Sequence, residues 1–276
     1  MGRELLVERR GAVAWVTLNH PPLNLLTGAL ISALGDVFRR LARTQAVRLA
    51  VITGQGRAFT AGVDVRVLRQ LEVDSAKVFI TRLHEAIQAV YEAPFPVLAM
   101  LNGYCLGGGF ELAMACDLRT ASTEAKMGLP EIKVGVPSVI HAALMPGLVG
   151  PGRASECLLT GEMISAQQAL DWGLVNQVAR PGRLEAVTQA LIDKILACAP
   201  TAVRLQKELL NCWRRTDLAT AIQLGINAFA SCYSTGEPRE AMTAFLEKRT
   251  PRFSASPVGD RVTPRRRGKE PSPRRR

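Results

Sequence analysis

A run of apolar residues, Val97-Leu98-Ala99-Met100-Leu101, empties into Asn102-Gly103-Tyr104-Cys105-Leu106 and then into three consecutive glycines, Gly107, Gly108 and Gly109. The run has the composition of a buried strand. Past the triplet, residues 110–115 are apolar again except for one carboxylate, Glu111. Glycine lets backbone reach dihedrals closed to other residues and approach a ligand closely. If the chain turns helical at Phe110, the triplet sits at a helix N-terminus, where free amides and the macrodipole favour negative charge. Backbone donors and a glutamate then lie within one turn of each other, which suits stabilising an oxyanion while moving a proton. Glycine triplets also occur as plain loops, and Glu111 also fits a helix N-terminal acid on a solvated face. Spacing alone leaves both readings open.

The rest of the chain reads as strand, helix, strand, loop, helix, strand. Val13–Leu18 is β-rich and ends before Pro21-Pro22. Thr27 is placed to cap a helix to about residue 43, with Leu30, Leu34, Val37 and Leu41 on one face. Residues 49–53 form a second strand, and Ala58-Phe59-Thr60-Ala61-Gly62-Val63-Asp64 leads into a helical stretch. A long helix over about residues 74–91 stops at Pro94 and Pro96. Downstream, residues 118–121 and 175–178 read as strands, and 138–144, 153–159 and 166–172 as helices. After residue 199 the pattern is wholly helical. Such alternation indicates an α/β fold with crossover connections.

Size and composition bound the function. The 276 residues, 47% of them hydrophobic and 21% charged, suit one large soluble domain with an appendage. Arg3, Glu4, Glu8, Arg9 and Arg10 break any N-terminal apolar leader, and the most apolar stretch is too interrupted for a membrane span. Six cysteines without a C-x-x-C pair read as reduced thiols, and the expected location is cytoplasmic. His20, His84 and His141 are too scattered to suggest a metal, and His141 is read as a helix-surface histidine. Net charge is +11. Residues 254–276 hold eight Arg and Lys against Asp260 and Glu270, which is +6 and leaves +5 for the body. This proline-rich, Arg-rich stretch is expected to be a disordered tail. A polyanion such as RNA is one possible partner for it, but a solvated run is the ordinary outcome, and nucleic acid is not the expected partner.

The stretch Asn-Gly-Tyr-x-Leu-Gly-Gly-Gly-x-Glu-Leu-Ala resembles the signature of the crotonase (enoyl-CoA hydratase/isomerase) family. So do the 58–64 segment, Gly128-Leu129-Pro130-Glu131, Thr160-Gly161-Glu162-x-Ile164-Ser165-Ala166, Ala169-x-x-Trp172-Gly173-Leu174-Val175 and Phe245-x-Glu247-Lys248-Arg249. The resemblance runs from about residue 13 to residue 253. It implies a crotonase-like spiral of ββα units over residues 1–199 and a helical region at 200–253 that assembles a homotrimer or a dimer of trimers. It implies an acyl-CoA substrate, with CoA part of the substrate and no separate cofactor. Carried over by position, the amides of Ala61 and Gly108 would hold the thioester oxygen, with Gly62, Val63 and Asp64 in the same binding segment. Glu111 and Glu131, twenty residues apart, would be the acid–base pair of a hydratase. Phe245 and Lys248 would contact CoA from the same or a neighbouring subunit, unless they belong to a solvated helix end. A family hydratase often has Gly-rich sequence after this point, whereas here Pro137-Ser138-Val139-Ile140-His141-Ala142 follows. That departure keeps isomerase, decarboxylase and thioester hydrolase chemistry open beside hydration.

Overall fold

Leu5–Arg10 (β1) and Val13–Leu18 (β2) pair antiparallel across a tight turn at Gly11, whose φ of 62° favours glycine. The helix Gly28–Ala42 (α1) follows, with the Thr27 hydroxyl oxygen accepting the Leu30 amide at 3.0 Å as its N-cap. Next come Leu49–Gly54 (β3), Ala58–Thr60 (β4), the short helix Val65–Leu68 (α2) and the long helix Val73–Tyr91 (α3). The central segment supplies Val97–Leu101 (β5), Tyr104–Leu106 (β6) and Gly108–Ala115 (α4). After Leu118–Ser122 (β7) and Lys126–Gly128 (β8) come a 3-10 turn, Pro130–Val134, and a second one, His141–Leu144. The remainder is Met145–Val149 (α5), Pro151–Thr160 (α6), Ile164–Ser165 (β9), Ala166–Asp171 (α7), Gln177–Ala179 (β10), Leu184–Leu196 (α8), Pro200–Trp213 (α9), Leu218–Cys232 (α10) and Glu237–Leu246 (α11). This computed structural model describes residues 4–253. The Arg-rich stretch expected as a tail lies outside the described residues.

The strands form two sheets that grow together. One runs β1-β2-β3-β5-β7-β10 and the other β4-β6-β8-β9. From β3 onward each pass of the chain lays one strand in the first sheet and the next in the second, as β3 then β4, β5 then β6, β7 then β8. The first sheet is parallel from β2 to β10, and both faces of its centre are covered. One face packs Val13, Trp15, Leu49, Val51 and Leu98 against Ile192 of α8. The other packs Ala14, Val16, Ala50, Ile52 and Ala99 against α1, α3 and α4. Burial on both faces is why β3 and β5 read as continuous apolar runs rather than as alternating ones.

Three polar side chains fix the junction between the sheets. Asn102 accepts the Gly54 amide at 3.2 Å and donates to the carbonyls of Gly56 and Ala58 at 2.8 and 3.2 Å. Asn24, fully buried, donates to the Ala58 carbonyl at 2.8 Å. Arg119, also buried, donates to the carbonyls of Ala113, Cys116 and Leu174, closing the C-terminal end of α4. Helix α9 is bound to the same centre. Lys207, 4% exposed, meets Asp117 at 2.6 Å, and that carboxylate oxygen also accepts the Val97 amide at 2.7 Å.

The structure departs from the sequence reading in places. The strand β1 is unforeseen, since five of its six residues are solvent-exposed on an edge and carry no apolar alternation. The strand β6 lies inside the glycine segment, and the last strand is Gln177–Ala179 rather than residues 175–178. Residues 138–144 are not one helix: 136–140 are irregular and only His141–Leu144 coils. Among the described residues no single helix is long and apolar enough to cross a membrane.

Lys207→Ala leaves the Asp117 carboxylate buried without its cation and is expected to destabilise the fold by about 3 kcal/mol. Lys133→Ala breaks an exposed 2.7 Å pair with Glu162 and is expected to cost below about 1 kcal/mol. Urea midpoints at unchanged m-value measure both. Equal losses would contradict burial as the deciding quantity.

Candidate active site

Three segments converge where the second sheet ends: residues 60–64 after β4, 106–111 from β6 into α4, and 130–142 after β8. The first two touch backbone to backbone. Gly62 and Gly107 have φ of 83° and 57°. A Cβ on Gly62 would stand 2.8 Å from the Leu106 carbonyl oxygen, and one on Gly109 would stand 2.3 Å from Cγ2 of Thr60. Only glycine permits this approach. Helix α4 starts at Gly108 with Gly107 as its N-cap, two residues earlier than the sequence reading placed it.

The amide hydrogens at this contact are unequally committed. The amide of Ala61 donates to the Leu23 carbonyl at 2.9 Å, that of Gly62 to the Thr60 hydroxyl at 3.0 Å, and that of Gly107 to the Gly128 carbonyl at 2.9 Å. Among the described residues, the amides of Val63 and Gly108 have no protein acceptor. The Ala61 amide, expected from the sequence to face the thioester, is therefore already engaged, and the free donor of its segment is two residues on. Leu83 and Leu26 flank Gly108, at 3.0 and 3.5 Å from the place of a Cβ there.

Both expected glutamates border this contact. Glu111 projects from the first turn of α4 and is 2% exposed. Its carboxyl accepts the Ala142 amide at 3.2 Å, and the amides of Val139 and Ile140 turn to the same group. These amides serve a carboxylate instead of a helix, which is the physical reason that residues 136–140 are irregular. Burial raises the Glu111 pKa to about 7; the Ala142 amide opposes the rise, and the charge of Glu131 adds to it. Glu131 stands half-buried in the Pro130–Val134 turn. One of its oxygens faces Gly107, where a Cβ would come within 2.8 Å of it. The other accepts the Ser138 hydroxyl at 2.8 Å. Burial raises the pKa of Glu131 as well, with the Ser138 hydroxyl among the groups resisting the rise.

The other candidates fall in different places. Asp64 caps α2, accepting the Arg66 amide and pairing with its guanidinium at 2.7 Å. Phe245 is 82% exposed on α11, and Lys248 takes a left-handed φ of 55° beyond it. Neither is among the residues that these hydrogen bonds and close approaches bring to the glutamates. His141 is no surface residue. It is 6% exposed, its Nε2 lies 3.0 Å from Oε1 of Gln88, and its ring stacks on His84 at 5.4 Å. Burial lowers its pKa to about 4, so the ring is neutral at ordinary pH. Burial also holds the Cys105 thiol protonated, which removes it as a nucleophile. Ser138 and Gln88 carry no sequence signal that would have marked them. Among the described residues no group of three or more His, Cys, Asp or Glu could hold a metal ion. A groove of about 570 Å³ lined by Arg48, Pro96, Thr201 and Glu237 holds none of these residues.

Two raised carboxyls beside two uncommitted amides can bind an acyl oxygen and shuttle protons next to it. The profile of the family described as Enoyl-CoA hydratase/isomerase matches residues 8–256. The chain belongs to the enoyl-CoA hydratase/isomerase family. It is 35% identical over 248 residues to a short-chain-enoyl-CoA hydratase of Clostridium acetobutylicum, covering 89% of this chain and 95% of that protein. It is also 35% identical over 252 residues to a crotonyl-CoA hydratase of Syntrophomonas wolfei, covering 90% and 97%. Among solved structures, an enoyl-CoA hydratase from Bacillus anthracis superposes with a TM-score of 0.88 at 32% identity, over 92% of this chain and all of that one. Pseudomonas aeruginosa DspI superposes with a TM-score of 0.88 at 33% identity, over 92% and 97%. Membership in the enoyl-CoA hydratase/isomerase family bears out the crotonase-like α/β fold and the hydro-lyase-type enzyme expected from the sequence.

The shift at Glu111 has a sign that stability measurements can test. A carboxyl whose folded pKa lies above its unfolded value keeps more protons folded than unfolded between the two, so stability falls as pH rises there. From 4.5 unfolded to about 7 folded, the loss is on the order of 3 kcal/mol. Glu111→Gln is expected to flatten this slope, so that the variant gains on the wild type from pH 5 to pH 8. A stability curve of unchanged slope in chemical denaturation would show that Glu111 does not titrate in this window.

Proposed function

We propose that this protein adds water across the double bond of a 2-enoyl-CoA, giving the 3-hydroxyacyl-CoA. The carrying observation is that burial raises the pKa of both Glu111 and Glu131, and that the charge of Glu131 reaches Glu111, beside the free amides of Val63 and Gly108. The thioester oxygen accepts from those two amides at the positive end of α4. As water bonds to C3, negative charge moves through the former double bond onto that oxygen. Donors fixed there bind the transition state better than the ground state. One carboxylate takes the proton leaving the water, and the other carboxyl delivers a proton to C2. Burial raises both carboxyls, that of Glu111 to about 7, and raised carboxyls suit both halves of that exchange. Water and the two carboxyls supply every atom added, so the proposal needs no cofactor beyond the CoA carried by the substrate. The relatives named as hydratases support the same reaction.

We further propose that the enzyme works as a homotrimer or a dimer of trimers. Ile222, Ile226, Phe229 and Tyr233 recur at three- and four-residue steps along α10 and are all exposed, as are Met242, Phe245 and Leu246 on α11. Exposed apolar side chains recurring along one helix suit burial against another subunit. Such packing would cover Phe245 and is compatible with a CoA contact by Phe245 and Lys248 across the seam.

With crotonyl-CoA as probe, the expected product is heavier by one water. Glu111→Gln and Glu131→Gln are each expected to lower kcat by roughly 100-fold or more. Full rate in either variant would remove that residue from the chemistry. Release of free CoA, or a product of unchanged mass, would replace hydration by hydrolysis or isomerisation. Phe229→Glu is expected to reduce the sedimenting mass to that of one chain, and an unchanged mass would move the seam off α10.

A further inference from the structure

The segment that departs from the family pattern, residues 137–142, contacts both glutamates and α3. The Ser138 hydroxyl donates to Glu131 at 2.8 Å, the Ala142 amide donates to Glu111 at 3.2 Å, and His141 Nε2 meets Gln88 at 3.0 Å. We propose that Ser138 is a positioning residue for Glu131, holding its carboxylate in the orientation the reaction uses, and that His141 anchors the strap from which Ser138 reaches. The proposal rests on the hydratase reading above for its kinetic test only.

Beyond its own backbone amide, which also reaches its carboxyl, Glu131 has little else to fix it. It sits in a 3-10 turn rather than a long helix, and exposed Ile132 and Val134 flank it. On one side the bare Cα of Gly107 sets a wall against one carboxyl oxygen without offering that oxygen a side-chain donor. On the other side Ser138 is the one side chain with a hydrogen bond to Glu131 among the described residues. The wall and the donor together fix the rotation of the carboxyl plane. A glycine at position 138 would keep the wall and lose the donor.

The strap is held well enough to act as a fixed arm. His141 is stacked between His84 and Tyr91, with ring centroids at 5.4 and 6.0 Å. Its neutral ring reaches Gln88 on the same helix, α3, whose Leu83 flanks Gly108. Ser138 and Ala142 therefore move with the helix that walls the site. The charged neighbour of Glu131 is Glu111 from α4; Lys133, two residues along its own turn, is taken by Glu162 at 2.7 Å. Among the described residues no cation pairs with Glu131 to hide the loss of the Ser138 donor.

The test uses the full chain, with kinetics on crotonyl-CoA and a 13C NMR titration of the glutamate carboxyls. The Glu131 resonance is assigned by its absence in Glu131→Gln. A hydrogen bond to a charged group corresponds to tenfold to about a hundredfold in rate. Ser138→Ala is expected to lower kcat by that factor with KM within about twofold. It is also expected to move the Glu131 titration to higher pH, since the donor favours the anion. Ser138→Thr keeps a hydroxyl and is expected to restore both. Ser138→Cys fills the same space with a weak donor, and is expected to resemble the alanine variant while preserving packing should alanine fail to fold. Unchanged kcat and unchanged Glu131 titration in the alanine and cysteine variants would overturn the proposal. So would a fall in kcat that threonine does not rescue and that leaves the titration in place, because that is loss of structure. A shifted titration in a protein that does not hydrate crotonyl-CoA would refute the hydratase reading and leave the Ser138–Glu131 contact standing.

Discussion

Backbone meets backbone at Gly62 and Gly107, and the site can only be assembled because nothing projects from either Cα. Each has a left-handed φ, and a Cβ on either would enter a neighbour's contact distance. The strands that lead there, β4 and β6, are three residues long and parallel, so they bring no hairpin of their own to fix the approach. Asn102, in the glycine segment, and the buried Asn24 do it instead, both donating to carbonyls of residues 55–59. The amides of Val63 and Gly108 stay free, whereas those of Ala61, Gly62 and Gly107 beside them are committed to Leu23, Thr60 and Gly128. A site made of main-chain donors needs that kind of exclusion, since any nearby carbonyl would occupy them.

The same junction sets the electrostatics. Glu111 lies in the first turn of α4, where the macrodipole by itself favours its anion. Full burial works the other way and wins, with the pKa near 7. A solvated acid at the same helix position would be ionised throughout the neutral range. The three amides from residues 139–142 keep the balance from tipping further toward the neutral acid. Pro137 and the β-branched residues around it add a local bias against helix in the strap. The irregular segment is thus part of the electrostatic design.

Much of the fold was legible because it follows from period and composition. Thr27, the face at Leu30, Leu34, Val37 and Leu41, and the buried run at Val97–Leu101 stand where the sequence puts them. The glycine triplet and the two glutamates were legible as a pattern, and the structure does bring those glutamates together. What the sequence could not convey is partnership between atoms. Whether the amide of Ala61 or of Val63 is free depends on where the Leu23 carbonyl happens to lie, 38 residues away. The burial of His141 depends on stacking with His84 across 57 residues, and nothing local to His141 encodes it. A lysine at position 207 reads as a solvated helix charge until Asp117 is seen beneath it. Strand β1 escaped notice for the opposite reason, because it is an edge strand whose hydrogen bonds, not its apolar content, define it.

These observations divide the site by how it can vary. The two uncommitted amides are main-chain atoms, so side-chain substitution cannot remove them except by forcing a Cβ into the glycine contact. The carboxyls and their setting are side chains carried on a helix turn, a 3-10 turn and an irregular strap. Those elements are bound to the core through a few hydrogen bonds each, so their identity can change without dismantling the sheets. A fold arranged this way can hold its main-chain donors constant while the side chains beside them vary. In this chain the strap brings a serine and a buried histidine to that part of the site, and both are engaged. Residues 131–142 therefore carry part of the side-chain setting of the proposed site, beside amides that the glycines hold in place.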